Sequence, residues 1–206
     1  MFKMFSAGLD LGQRSDPSAL VVVERRDLWQ GFGVQTFHSI AVRFVERMAL
    51  GMPYPVVAER AKAVVQSPML LGGCSLTVDA TGVGAPVVEM LRASRMGDLC
   101  AVTITGGEKA SQHSLGWNVS KQDLVGGLQL LLEQGRLRIA KDMKGLRTLM
   151  RELMDMQAKT GSSGRVRTGA EGYGQHDDLV MALALACWRA RRQRGIEGPG
   201  RLPLIG

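Results

Sequence analysis

EGYGQHDDLVMALALACWRARR, the stretch Glu171–Arg192, decides how this chain folds. Two adjacent acids, Asp177 and Asp178, follow a glycine-rich turn and open an apolar run, Leu179–Trp188, that ends in Arg189, Arg191 and Arg192. A helix with almost no polar face must be buried on most sides, so its start lies close to the core. One Asp at a helix start is ordinarily a cap, its side chain accepting a bond from a free backbone N–H. Two side by side repel in a buried setting unless a cation or a proton sits between them. The pair therefore reads either as a cap and its neighbour or as part of a metal or catalytic site.

The elements ahead of this helix supply what could cover it. SAGLDLG (6–12) reads as a strand with Asp10 near its end, and the turn QRSDPS holds Asp16 and Pro17. ALVVVE (19–24) is strongly β-branched and makes a hairpin partner. GVQTFHSIAVR (33–43) alternates as a third strand. His38 there reads as a strand residue. VVAERAKAVVQ (56–66) has helical periodicity. SLTVD (75–79) is a short apolar strand ending in an acid. ATGVG (80–84) then turns the chain into a helix, 85–93, with Pro86 in its first turn, where proline is tolerated. LCAVTIT (99–105) closes a strand–helix–strand unit, which favours parallel neighbours. A helix over 121–134 starts on Ser120 as N-cap, with Asp123 as a near match to a capping box. RLRIA (136–140) reads as a short edge strand. A helix over 144–159 shows Leu146, Leu149, Met150, Leu153 and Met154 on one face. Residues 165–168 read as a hairpin arm. The class is α/β: a mixed sheet, with an antiparallel hairpin beside parallel strands, flanked by helices.

Composition narrows the function classes. The chain has 206 residues, 45% of them hydrophobic, enough for a sizeable core and against wholesale disorder. Its formal net charge of +7 suits a polyanionic partner, of which nucleic acid is the commonest. Cys74, Cys100 and Cys187 are scattered without CxxC spacing, which speaks against a disulfide framework or a zinc site. No apolar run reaches membrane-spanning length and no signal peptide is evident, so a soluble, intracellular protein is expected. The Gly/Pro-rich stretch 195–206 reads as a tail on a domain of residues 1–194.

Asp10 and Asp79 occupy matching contexts, each at the carboxyl end of a buried strand and each followed by glycine. Function gathers at that edge of open α/β sheets. If the two strands are neighbours, the carboxylates lie side by side, and the Asp177–Asp178 helix start could complete a cluster. Oxygen-only ligands without His or Cys point to magnesium or manganese. Two such ions about 4 Å apart can clamp a phosphodiester. Arg136, Arg138, Lys141, Lys144, Arg147 and Arg151, with Arg165 and Arg167, form the basic set that would hold the phosphate backbone. Aromatics are only 5% of the chain, so duplex backbone contact fits better than a base-stacking platform.

GLDLG…DPSALVVVE, then LTVDATGVG, then HDDLVMALALA, in this order, resemble the nuclease domain of tailed-phage terminase large subunits, and SKQDLVGGLQLLLEQGRLRIA looks like that family's segment between the second acid and the last. The resemblance runs from about Ser6 to Arg192. It implies a ribonuclease H-like fold for residues 1–194, with adjacent Asp10 and Asp79 strands. It also implies a two-metal Mg²⁺- or Mn²⁺-dependent endonuclease that cuts concatemeric viral DNA during genome packaging, in the host cell cytoplasm. By motif match Asp10, Asp79 and Asp178 would be the metal-binding triad, with Asp177 the neighbouring acid; which of the pair coordinates directly stays open. Asp16 falls where some relatives carry an accessory acid and reads equally as a turn cap. His176 suits a turn-stabilising role. Terminase large subunits carry an ATPase motor, yet this sequence has no GxxxxGK[ST] phosphate loop. The expectation is a nuclease without its own motor, partnered by double-stranded DNA and by a separate motor, a portal or a small terminase subunit. Three rival readings are a RuvC-like junction resolvase or repair nuclease, a sugar-kinase or actin-like ATPase, and a non-catalytic DNA-binding packaging module. RuvC-type final helices often carry a further acid where this chain has Met181.

Overall fold

A computed structural model of the chain describes residues 3–12, 16–29, 36–70, 73–107, 110–161 and 177–193. In chain order these form β1 (Lys3–Asp10), β2 (Ala19–Trp29), β3 (Thr36–Arg47), α1 (Tyr54–Val65), β4 (Cys74–Asp79), α2 (Gly84–Ala93), β5 (Leu99–Thr105), β6 (Ser111–His113), β7 (Gly116–Ser120), α3 (Lys121–Glu133), β8 (Leu137–Ile139), α4 (Leu146–Gly161) and α5 (Asp178–Arg192). The strands build one eight-stranded mixed sheet in the order β6-β7-β5-β4-β1-β2-β3-β8. β1, β2 and β3 form an antiparallel meander, while β1–β4, β4–β5, β5–β7 and β3–β8 are parallel pairs. The expected hairpin-plus-parallel sheet is therefore what forms. β2 and β3 run longer than their sequence patterns suggest. The expected arm at 165–168 and the tail at 195–206 lie outside the described residues.

The sheet separates two apolar layers. Phe5, Ala7 and Leu9 of β1 and Leu76 and Val78 of β4 face α1 and α2. Val21, Val23, Ile40 and Val42 face α3, α4 and α5. Because side chains alternate along a strand, Ser6, Gly8 and Asp10 of β1 and Ser75, Thr77 and Asp79 of β4 are turned toward α5. These are small or polar residues, and they let the helix approach closely. A Cβ on Gly8 would sit 2.0 Å from the carbonyl oxygen of Ala182 and 2.7 Å from the amide nitrogen of Ala186. Every α5 residue from Asp178 to Trp188 is buried, including Cys187, as its all-round apolar pattern demands.

α5 is also pinned at its far end. Arg25 donates through Nη1 to the carbonyls of Ala190 and Gln193, and the Gln193 amide reaches Ser75 Oγ at 2.8 Å and Ser6 Oγ at 3.1 Å. Gly8→Ala should push the helix off the sheet and lower stability by about 3 kcal/mol, a drop of roughly 10 °C in Tm. Thermal melts of the two proteins check it.

One expectation on α4 needs correction. Leu149 and Leu153 are buried and Met150 packs against them, but Met154 is exposed. The residue that completes the buried stripe is instead Glu152.

Candidate active site

Four acids and one lysine converge where β1 and β4 end. The register pairs Leu9 with Val78, so the next residues, Asp10 and Asp79, leave adjacent parallel strands side by side on the α5 face. α5 starts above them with Asp177 as its N-cap residue and Asp178, buried, as its first helical residue. The charges register one another. Burial, then the charges of Asp79, Asp178 and Asp177, push the Asp10 carboxyl well above its ordinary value, and Lys121 acts against them. Asp79 is also raised, chiefly by burial; the Thr81 hydroxyl and amide and the Lys121 charge oppose the shift.

Each of the other acids is held by a protein partner. Asp79 Oδ1 accepts from the Thr81 amide at 2.8 Å in the turn before α2. Asp177 Oδ2 accepts from Lys121 Nζ at 2.9 Å. Asp178 Oδ2 lies 3.5 Å from Arg47 Nη2. In this arrangement no group of three or more His, Cys, Asp or Glu among the described residues is posed to hold a metal ion. The donor chemistry nonetheless fits one: the converging groups able to ligate a cation are all carboxylates, crowded together, and a hard divalent cation offsets such crowding.

Capping of α5 draws on a residue from another helix. Asp177 makes no side-chain capping bond. Glu152 of α4 supplies it, accepting from the amides of Leu179 at 3.0 Å and Val180 at 3.2 Å through Oε2. Its Oε1 pairs with Arg47 Nη2. Burial pushes Glu152 up, while Arg47 and the two amides act the other way. With Glu152 accepting from these two amides, the Asp177 carboxylate is not spent on capping and turns to Lys121 instead.

The basic residues divide by place. β8 runs parallel to β3, and β3 parallel to β1, so the chain leaves β8 at the same sheet edge as Asp10. Exposed Lys141, Lys144 and Arg147 follow there. Gly145 packs against Val45 near the end of β3, its Cβ position 3.1 Å from Val45 Cγ1. Arg151 is exposed one turn along α4. Arg138 is exposed on the opposite sheet face from Leu137 and Ile139, and the Arg136 carbonyl bonds the Ile40 amide near the middle of β3, so neither is brought to the acids. Asp16 is exposed in the bend that leads into β2. Arg165, Arg167 and His176 lie outside the described residues.

Lys121, Arg47 and Glu152 are site residues that the sequence reading passed over. Glu152 had a signal: it falls three residues after Leu149 and one before Leu153, inside the apolar stripe. Lys121 had less, because its position depends on β7, a strand only five residues long.

No protein-family model matches the sequence, and no curated protein matches it significantly. Solved structures do match the fold. The large terminase nuclease from thermophilic phage G20c superposes with a TM-score of 0.53 at 24% identity, over 89% of this chain and 81% of that one. The human cytomegalovirus terminase nuclease domain gives 0.53 at 11% identity, over 91% and 84%. The large terminase nuclease domain of bacteriophage SPP1, solved with bound Mn, gives 0.51 at 13% identity, over 90% and 86%. The chain thus has the ribonuclease H-like fold of terminase nuclease domains. No helix among the described residues is long and apolar enough to cross a membrane.

Proposed function

We propose that this chain is a divalent-metal-dependent DNA endonuclease of the viral genome-packaging type, which hydrolyses phosphodiester bonds of duplex DNA. The observation that carries the reading is the convergence of Asp10, Asp79, Asp177 and Asp178 at one sheet edge, in a fold shared with terminase nuclease domains. Asp10, Asp79 and Asp178, joined by Asp177, would hold Mg²⁺ or Mn²⁺, two ions in all. When bound, such ions neutralise charge on the phosphate and make water a better nucleophile. The protein's share is positional. β1 and β4 fix two carboxylates at neighbouring strand ends. Glu152 and Arg47 fix the start of α5. Bound cations would relieve the crowding of the acids, which Lys121 offsets in part. A motor, portal or small terminase subunit would deliver the DNA.

Lys141, Lys144 and Arg147 suit the backbone of a duplex laid across the same edge. Replacing all three with Gln should weaken duplex binding about equally for all sequences and reduce the slope of log K against log salt by about 2 to 3. Fluorescence anisotropy over a salt series reads both effects.

Plasmid cleavage in Mg²⁺, in Mn²⁺ and in EDTA tests the reading. Cleavage that requires the metal supports it; no cleavage in either metal with duplex still bound would leave a binding module. Faster cutting of four-way junctions than of linear duplex would move the assignment to a resolvase.

A further inference from the structure

We infer that Lys121 is a built-in counter-cation of the acid cluster, holding Asp177 until a divalent ion claims that carboxylate and then contacting the bound phosphodiester. This rests on the nuclease reading and adds a residue to it.

Place comes first. β7 runs parallel to β5, so its end lies at the same sheet edge as Asp10 and Asp79, and Lys121 is the first residue beyond it. Helix stability does not explain a lysine there. The first turn of a helix is its positive end and disfavours cations, and α3 is already started by Ser120, whose Oγ accepts from the Asp123 amide at 3.0 Å. Nor is the lysine needed to tie α3 to α5. Leu124 and Leu128 pack with α5 in one core, and Arg192 lies 3.6 Å from Asp123.

The bond it makes is an exchangeable one. Lys121 Nζ meets Asp177 Oδ2 at 2.9 Å with side-chain exposures of 38% and 57%, and an ion pair this open to water is weak. Its charge also acts on Asp10 and Asp79, so it lies near three of the four acids. A lysine is a mobile point charge on a flexible stem, suited to moving from a carboxylate to a phosphate oxygen a short distance away. With Lys121 on it, Asp177 is directed at an ammonium.

The test compares the whole chain with Lys121→Met and Lys121→Arg. Mn²⁺ affinity is measured by calorimetry, Tm in EDTA by thermal melts, and cleavage at saturating Mn²⁺ on plasmid. Lys121→Met should melt lower in EDTA, bind Mn²⁺ roughly two- to five-fold more tightly because a competitor is gone, and yet cut about tenfold more slowly or worse. Lys121→Arg, which keeps the charge, should return Mn²⁺ affinity toward wild type. Unchanged or weaker Mn²⁺ binding by Lys121→Met overturns the exchange, and an unchanged rate overturns the phosphate contact. If the wild type binds Mn²⁺ but cuts nothing, the nuclease reading fails, while the affinity comparison still decides whether the lysine competes for Asp177.

Discussion

Asp10→Asn should abolish metal-dependent cleavage, with a loss of at least about 10³-fold, or roughly 4 kcal/mol of transition-state stabilisation, and leave duplex binding intact. Asp79→Asn should do the same. The two carboxylates sit at adjacent strand ends, and neither makes a bond that the sheet needs: Asp79 supports only its own turn through Thr81. Losing one should therefore remove chemistry rather than structure. The stability result runs the opposite way to the activity result. The raised Asp10 carboxyl means that the folded protein holds this proton more tightly than the unfolded chain does. Its effect on stability is thus unfavourable once both states are ionised, and stability in EDTA falls as pH rises from the ordinary carboxylate range through the raised value. Asp10→Asn lacks that slope and should melt higher than wild type in EDTA at neutral pH. Mn²⁺ should then raise the Tm of wild type more than that of the variant. Wild-type cleavage by either Asn variant at equal metal concentration would remove that residue from the site.

Glu152→Ala is the second large effect, and here stability and activity fall together. The substitution strips the start of α5 of its acceptor for Leu179 and Val180 and takes from Arg47 the nearer of its two buried carboxylates. Removing one partner of a buried pair costs about 3 to 5 kcal/mol, and for a chain of this size that is a Tm drop of roughly 10 °C or more. Glu152→Gln keeps an oxygen for the two amides and loses the charge, so it should lie between. Both variants should cut more slowly even at temperatures where they are fully folded, because Asp178 starts the helix that Glu152 positions. Circular dichroism melts with cleavage measured well below each midpoint separate the two effects. Glu152→Ala with wild-type Tm would mean that the amides find other acceptors.

Much of this was legible in the residues because it depends on local pattern. The all-round apolar run of α5 announces burial. Short apolar runs ending in Asp10 and Asp79, each followed by glycine, announce strands whose tips matter. Ser120 announces the start of α3, and its hydroxyl does cap Asp123. What was hidden depends on pairings between distant elements. β7 is Gly116–Ser120, in which only Trp117 and Val119 alternate with small or polar residues, too few to announce a strand, and it is held by β5 on one side and β6 on the other; without it the place of Lys121 cannot be inferred. A basic run after the second acid looks uniform in sequence. Only the parallel pairing of β8 with β3 divides it into Lys141, Lys144 and Arg147 at the acid edge and Arg136 and Arg138 elsewhere. Capping of α5 by Glu152 is likewise a tertiary event that no helix-start pattern reveals.

The pinning of α5 has a consequence for biosynthesis. Ser6 and Gln193, hydrogen bonded at 3.1 Å, are 187 positions apart, so the helix that covers β1 is among the last parts of the domain to leave the ribosome. Until it arrives, the surface around Gly8 and Thr77 has no cover and Asp10 has no Asp178 to face. Contacts this far apart in the chain also form slowly. On the nuclease reading, the acid cluster is therefore incomplete in a nascent chain, and cutting competence would begin only after α5 has been made and has docked on the sheet.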